Sequence, residues 1–248
     1  MAKKERADQL LAGLGLAESR EKAKRLIMAG LVGYTLPSGS WMRVDKPGQQ
    51  LPGDTPLEIK GQDPYVSRGA YKLLPALTAF SLPVEGAVAL DAGASTGGFT
   101  DCLLQHGAAR VYAVDVGHSQ LHEKLRQDPR VISMEKTNLR HAPADLLPEA
   151  VDIVVADLSF ISLTVVLPAL VRYLKDGGYM AALVKPQFEL GPQAAPKGVV
   201  RDEALRQEAV DKVLHAAEGL GLSPLGVLPA AVKGPKGNQE YMAVWRKS

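Results

Sequence analysis

An α/β protein is predicted from this sequence: a doubly wound, Rossmann-like sheet of seven strands preceded by a small α+β module. Three observations carry the prediction. From Val66 onward, short apolar runs alternate with stretches of helical periodicity. Those runs are apolar at nearly every position, as expected of strands buried on both faces. Between Leu31 and Lys60 the pattern changes to short β-prone pieces split by Pro-Ser-Gly, Pro-Gly and Pro-Gly-Asp turn signals.

Taken in order, residues 1–30 read as two short helices. Leu10, Leu11, Leu14 and Leu16 form the apolar set of the first. Ser19 is a suitable N-cap for the second, which turns Ala23, Leu26, Ile27 and Ala29 inward and ends at Gly30. The β-prone pieces that follow are Leu31–Thr35, Trp41–Val44 and Leu57–Lys60. In the larger part, helices are expected over Ser67–Phe80, Gly97–His106, Leu163–Leu174 and Glu203–Leu220. Strands are expected at Ala87–Asp91, Arg110–Asp115, Val131–Met134, Val151–Asp157, Gly178–Lys185, Ser223–Pro229 and Glu240–Arg246. The organisation is thus a small module over 1–60, a linker over 61–66 and a larger domain over 67–248.

With 46% hydrophobic and 23% charged residues, the composition is that of an ordinary globular protein. One cysteine, Cys102, excludes a disulfide framework and a cysteine zinc site, which fits a reducing cytoplasm. The N-terminus lacks the apolar core of a signal peptide. No stretch reaches the roughly 18 uncharged apolar residues of a membrane span. The longest, Leu158–Val171, is interrupted by Ser159, Ser162, Thr164 and Pro168. A cytoplasmic protein without stable membrane association is therefore expected. His106, His118, His122 and His141 are not spaced as a metal site, and no metal is expected.

Charge is distributed unevenly. Residues 1–30 carry seven basic and four acidic side chains, a net +3, against +2 for the whole chain. A solvated helix face is the simplest account of such a run. Arg6, Arg20, Lys24 and Arg25 nevertheless fall where two helix starts can present a basic surface to phosphates.

The segment Leu90-Asp91-Ala92-Gly93-Ala94-Ser95-Thr96-Gly97-Gly98-Phe99 lies at a strand-to-helix junction, where glycines let backbone turn tightly near a ligand. A dinucleotide site would want glycine at position 95, occupied here by Ser95. Asp91 precedes the turn, where it would repel a pyrophosphate but suit an amino group. Asp115 ends the next strand, about where a carboxylate accepts the hydroxyls of a ribose. Adenosine bearing an amino-acid tail fits this set better than NAD. Asn138, after the third strand, is placed to reach an adenine edge.

Four further polar residues stand where a doubly wound sheet places chemistry. Lys72 is in the helix before the first strand, Asp157 ends the fourth strand, Lys185 ends the fifth and Glu240 opens the last. Pro186 favours an extended Lys185, aimed at the rim of the sheet.

This Lys72–Asp157–Lys185–Glu240 set resembles the Lys-Asp-Lys-Glu tetrad of the FtsJ-like 2′-O-methyltransferases. The strings SRGAYKL, LDAGASTGGFTD, TNLR, VVADLSFISL, LVKPQFE and GNQEY resemble the TlyA family of rRNA cytidine 2′-O-methyltransferases, also called haemolysins. Arg6, Asp8, Leu11, Ser19-Arg20, Ala23, Leu26-Ile27, Gly30 and Val32 are similar to the small RNA-binding domain of ribosomal protein S4. The resemblance implies S-adenosylmethionine as cofactor, held by Asp91, Gly93, Ser95, Gly97, Gly98, Phe99, Asp115, Asn138 and Asp157. It implies ribosomal RNA or a ribosomal subunit as partner, contacted through Arg6, Arg20, Lys24, Arg25 and Arg68. Two features stand apart from the family pattern or refine it. The family's Arg-x-Trp-Val linker is replaced by Asp63-Pro64-Tyr65-Val66. The chain stops just after the last strand, as in the shorter TlyA type, which implies methylation of the large-subunit 23S rRNA, with 16S as the second candidate.

A ribose 2′-hydroxyl is a poor nucleophile until deprotonated, so Lys185 is assigned as general base, with Lys72 and Asp157 beside it and Glu240 positioning Lys72 or the hydroxyl. A free lysine titrates near 10.4, so a useful base must be brought down, which a neighbouring lysine and burial favour and carboxylates oppose. The competing account, two ion pairs that serve structure alone, is disfavoured because buried charges are costly. The functional rivals are a non-catalytic RNA-binding assembly factor and, from a different class, a haemolysin, for which no membrane-inserting helix or amphipathic hairpin is found.

Overall fold

A computed structural model describes residues 4–61, 63–191 and 193–248. Lys3 and Gln62, counted above in the basic run and the linker, lie outside the described residues. The chain divides into two units, with the boundary between Pro64 and Tyr65.

In the first unit, β1 (Lys4–Arg6) leads into α1 (Ala7–Gly13) and α2 (Arg20–Met28), followed by β2 (Val32–Thr35), β3 (Trp41–Arg43), β4 (Gln50–Pro52) and β5 (Glu58–Ile59). The Ser19 hydroxyl accepts from Lys22 N at 3.2 Å and caps α2, as its position predicts. Leu10, Leu11, Ala23, Leu26 and Ile27 meet Val32, Val44 and Leu51 in a small core. Leu14, Leu16 and Ala29 depart from the expected inward set and are exposed. The reason is length: α1 stops at Gly13 and α2 at Met28, so these three fall beyond the helical periodicity. The β1–β4 pair, with Lys4 opposite Pro52, has no apolar alternation and was not expected from the sequence.

The second unit contains α3 (Ala70–Ala79), β6 (Val88–Ala92), α4 (Gly98–Gln105), β7 (Arg110–Val114), α5 (Glu123–Arg126), β8 (Val131–Met134), β9 (Val151–Ala156), α6 (Leu163–Val171), β10 (Leu174–Val184), α7 (Pro186–Glu189), α8 (Glu203–Glu218), β11 (Leu222–Pro229) and β12 (Tyr241–Lys247). Seven strands form one sheet in the order β8-β7-β6-β9-β10-β12-β11. Only β12 runs antiparallel to its neighbours, β10 and β11. Alternate residues of each strand enter opposite cores. Ala89, Ile153, Val155, Ala181 and Leu183 pack with Leu73, Leu77, Phe99 and Leu103 of α3 and α4. Leu90, Val154, Ala156, Met180 and Ala182 pack with Leu163, Leu167, Leu170, Val210 and Val213 of α6 and α8. Burying each Leu or Val contributes roughly 1.5–3 kcal/mol, so the apolar runs are held on both faces.

Several expected bounds change, most by one or two residues, such as the last strand, which begins at Tyr241 just after Glu240. The helix expected from Ser67 begins at Ala70. The helix expected through Leu174 ends at Val171, and Leu174 instead opens β10 by pairing with Val151. The linker shortens, because Tyr65 and Val66 pack on the second unit's core and Val66 N donates to Asp101 Oδ2 at 2.8 Å. Helix α4 also buries Cys102, whose thiol is pushed up to about 12 by burial, as in a cysteine that packs in a core.

Candidate functional site

The connections out of β6 and β9 leave the sheet in opposite directions, so a crevice opens between their carboxyl ends. Two adjoining clefts occupy it, of about 230 and about 490 Å³. The smaller is bordered by Lys72, Asp91, Gly93, Ser95, Phe99, Asp157 and Lys185. The larger runs past Asp115, Asn138, Leu158 and Phe160. Gly93, Ser95, Asp157 and Ser159 border both.

The glycine turn is also shaped by close approach of other parts of the chain. Gly93 has φ +84, and a Cβ there would fall 2.8 Å from Asp157 O. Gly97, at φ +92, would drive a Cβ into Leu125 of α5, and Gly98 would meet Ser67 ahead of α3. Chain-to-chain approach thus requires glycine at all three positions. Gly97 does not border either cleft, and the Phe99 side chain is mostly in the core. Ser95 occupies left-handed backbone at φ +48 and donates its N–H to Asp115 Oδ2 at 2.8 Å.

Asp91 is fully buried. Its Oδ2 accepts from Thr100 Oγ1 at 2.6 Å, while Oδ1 has no protein partner. Burial pushes its carboxyl up to about 7, against the Thr100 hydrogen bond and with help from the nearby Asp157 and Asp115 charges. Asp115 also accepts from Gly117 N at 2.7 Å through Oδ1, so each oxygen carries one backbone N–H and keeps a lone pair for a hydroxyl. Asn138 is exposed at the larger cleft, its Oδ1 accepting from Arg140 N at 3.1 Å.

The four residues at the rim meet in one chain of contacts. Lys72 Nζ lies 2.9 Å from Glu240 Oε2 and 3.2 Å from Asp157 Oδ2. Lys185 Nζ lies 2.6 Å from Asp157 Oδ1 and donates to Ser159 Oγ at 2.8 Å. Burial works against the Lys72 ammonium, but the Asp157 and Glu240 carboxylates outweigh it and raise its pKa above the ordinary value. Burial likewise works against ionised Asp157, but Lys185 and Lys72 together pull its pKa below the usual carboxylate range. Glu240 Oε1 is buried without a partner, against the backbone of Gly234.

Two residues not singled out from the sequence join the site. Ser159 is the second partner of Lys185. Phe160 is 91% exposed, has φ +65 and leans on Phe188 with ring centroids 5.2 Å apart. An aromatic three residues after a strand-end aspartate was the available signal.

Of the basic residues, Arg6 and Arg20 meet at buried Asp8. Arg6 donates from Nε at 3.0 Å and Arg20 from Nε at 2.8 Å, while 39% and 47% of their side chains stay exposed. Lys24 pairs with Glu21 at 2.6 Å, and Arg25 is exposed. Arg68, in the second unit, is exposed just before α3.

A family model described as FtsJ-like methyltransferase matches residues 65–247. The chain is 46% identical over 244 residues to the "Putative rRNA methyltransferase YqxC" of Bacillus subtilis, covering 97% of this chain and 85% of that protein. It is 45% identical over 256 residues to the 16S/23S rRNA (cytidine-2′-O)-methyltransferase TlyA of Mycobacterium tuberculosis, covering 100% and 91%. Among solved structures, a "Putative hemolysin from Streptococcus thermophilus" matches with a TM-score of 0.73 at 46% identity, covering 100% and 90%.

Proposed function

Because this chain belongs to the FtsJ-like methyltransferase family, we propose that it methylates the 2′-hydroxyl of a cytidine ribose in ribosomal RNA, with S-adenosylmethionine as donor. The observation that carries the reading is the unbroken Glu240–Lys72–Asp157–Lys185 chain of contacts at the mouth of the Asp91 cleft.

The donor set fits the cofactor. Unpartnered Asp91 Oδ1 would take the amino group, Asp115 the ribose hydroxyls, and Asn138 the adenine edge. Bound there, the cofactor supplies an electrophilic methyl group on a sulfonium. The chain's own residues align the acceptor and remove its proton. A neutral lysine has two N–H bonds. Asp157 and Ser159 lie where they accept both from Lys185, which leaves the nitrogen lone pair for the incoming 2′-hydroxyl. Lys72, held by Glu240, balances the Asp157 charge while Lys185 is neutral. Phe160, braced by Phe188, offers a flat face on which the acceptor base stacks.

The first unit serves as an S4-like RNA-binding domain over residues 1–60. Asp8 fixes Arg6 and Arg20 with their exposed edges available to phosphates, and Lys24 and Arg25 add charge there, while Arg68 is a separate candidate RNA contact on the second unit. Such a substrate places the protein in the cytoplasm. No helix among the described residues is long and apolar enough to cross a membrane. Large-subunit 23S rRNA is the first candidate and 16S the second, since the name of the Mycobacterium tuberculosis relative carries both and that of a Campylobacter jejuni relative carries 23S alone.

Tritiated methyl transfer from S-adenosylmethionine to 23S rRNA, 16S rRNA and intact subunits tests the reading. Lys185→Ala should lower the rate by about 10³-fold, within the range of a lost general base. Unlabelled RNA with every substrate would favour the non-catalytic assembly factor.

A further inference from the structure

Two Pro-Lys-Gly tripeptides, Pro196–Gly198 between α7 and α8 and Pro235–Gly237 between β11 and β12, take no part in the site described above. Each forms a single 3-10 turn, and each places its lysine in left-handed backbone, with φ +57 at Lys197 and +59 at Lys236. Lysine seldom adopts this conformation, because its Cβ crowds the backbone. Such residues persist where the surroundings impose them, and they gather at ligand sites.

The two turns are stapled together. Buried Asn238 donates from Nδ2 to Gly198 O at 2.8 Å and accepts from Val200 N at 3.1 Å. Its own carbonyl accepts from Gly234 N at 2.9 Å, closing the second turn. Lys236 Nζ lies over the first turn, 3.3 Å from where a Cβ on Gly198 would stand. Arg201 and Lys233 flank the pair in sequence. Among the described residues, none of these four cations has a carboxylate within ion-pair distance. The nearby acids are engaged elsewhere: Asp202 caps α8 through Ala204 N at 2.8 Å, and Glu203 pairs with Arg206 at 2.9 Å.

The second turn also reaches the reacting groups, since Gly234 packs on the Glu240 carboxylate that holds Lys72. Unpaired ammonium groups beside left-handed turns suit a phosphate. Lysine binds phosphate as a point charge.

We propose that the stapled Pro-Lys-Gly turns clamp a backbone phosphodiester of the RNA beside the methylated nucleotide, an inference that rests on the RNA-methylation reading above. The clamp fixes where the strand runs past Glu240 and contributes affinity without reading sequence.

The test replaces both lysines with asparagine, which tolerates left-handed backbone, and keeps charge in a Lys197→Arg, Lys236→Arg control. Methyl transfer to 23S rRNA is followed against RNA concentration between about 50 and 200 mM salt. In the asparagine pair, KM for RNA should rise about tenfold, most of the rate should return at saturating RNA, and the log–log salt slope should shrink by about one. The arginine pair should keep the wild-type KM, and cofactor affinity should not move in either. A wild-type KM and slope in the asparagine pair overturns the clamp, as does an arginine pair equally impaired. Should the asparagine pair fail to fold, the single Lys236→Gln variant carries the same test at about threefold in KM. Wild-type protein that labels no RNA removes the methylation reading and the clamp together, whereas labelling indifferent to both lysines removes the clamp alone.

Discussion

Asp8 in the first unit and Asp91 in the second are both fully buried, and their surroundings have opposite consequences. Asp8 receives Arg6 and Arg20, and those hydrogen bonds, Arg6's foremost, hold its carboxyl down at about 2 despite burial. Asp91 receives a threonine hydroxyl and no cation, and burial pushes it up to about 7. A buried carboxylate that already has its cations is a finished structural joint. One that lacks them keeps an open acceptor, the property the proposed role of Asp91 in holding an amino group draws on.

The largest effect that could break this contrast is at Asp91. Asp91→Asn should weaken S-adenosylmethionine binding about 10- to 100-fold by calorimetry, the loss of a charge-assisted hydrogen bond. The same change should stabilise the cofactor-free second unit. A carboxyl whose folded pKa lies above its unfolded value binds more protons when folded, so stability falls as pH rises from about 4 to about 7 and stays low above. Wild type should therefore melt lower at pH 8 than at pH 5 through this group, and Asp91→Asn should melt several degrees higher than wild type at pH 8. Undiminished cofactor binding in the variant would put Asp91 in the same class as Asp8.

Asp8 should respond with the opposite sign. Its depressed pKa stabilises the first unit above about pH 4, and that contribution disappears as pH falls toward 2. Asp8→Asn should cost about 2 kcal/mol in urea unfolding of the first unit, less than a wholly buried pair because both arginines are partly exposed. RNA affinity should fall with it, while cofactor affinity stays put. The smallest effect sharpens the contrast from the solvent side. Phe160→Ala should leave thermal stability unchanged, as its side chain is 91% exposed, yet raise KM for RNA about fivefold through lost stacking.

The sequence conveyed what periodicity and strand ends encode. Apart from Asp152, Val151–Ala156 is apolar, and the run stops at Asp157, so the strand and its polar terminus could both be read. The same reasoning brought Lys72, Lys185 and Glu240 to one rim, where the structure joins them. Elements fixed by distant partners were not legible. Lys4–Arg6 becomes a strand only because Gln50–Pro52 lies alongside, and four-residue α5 and α7 are too short to show a period. The packing that also demands the glycines of the turn, against Leu125, Ser67 and the Asp157 carbonyl, was not legible, because none of these is near in sequence. Ser159 escaped notice because a lone serine after a strand carries no pattern.

Strand β12 lies between β10 and β11 and runs against both, which is how Glu240 reaches the rim from the start of a strand instead of its end. This has a consequence for timing during synthesis. Until the ribosome has made residues 240–247, β10 has an open edge and Lys72 lacks one of its two carboxylates. A nascent chain that already carries Asp157 and Lys185 but not Glu240 therefore lacks part of the Glu240–Lys72–Asp157–Lys185 chain of contacts.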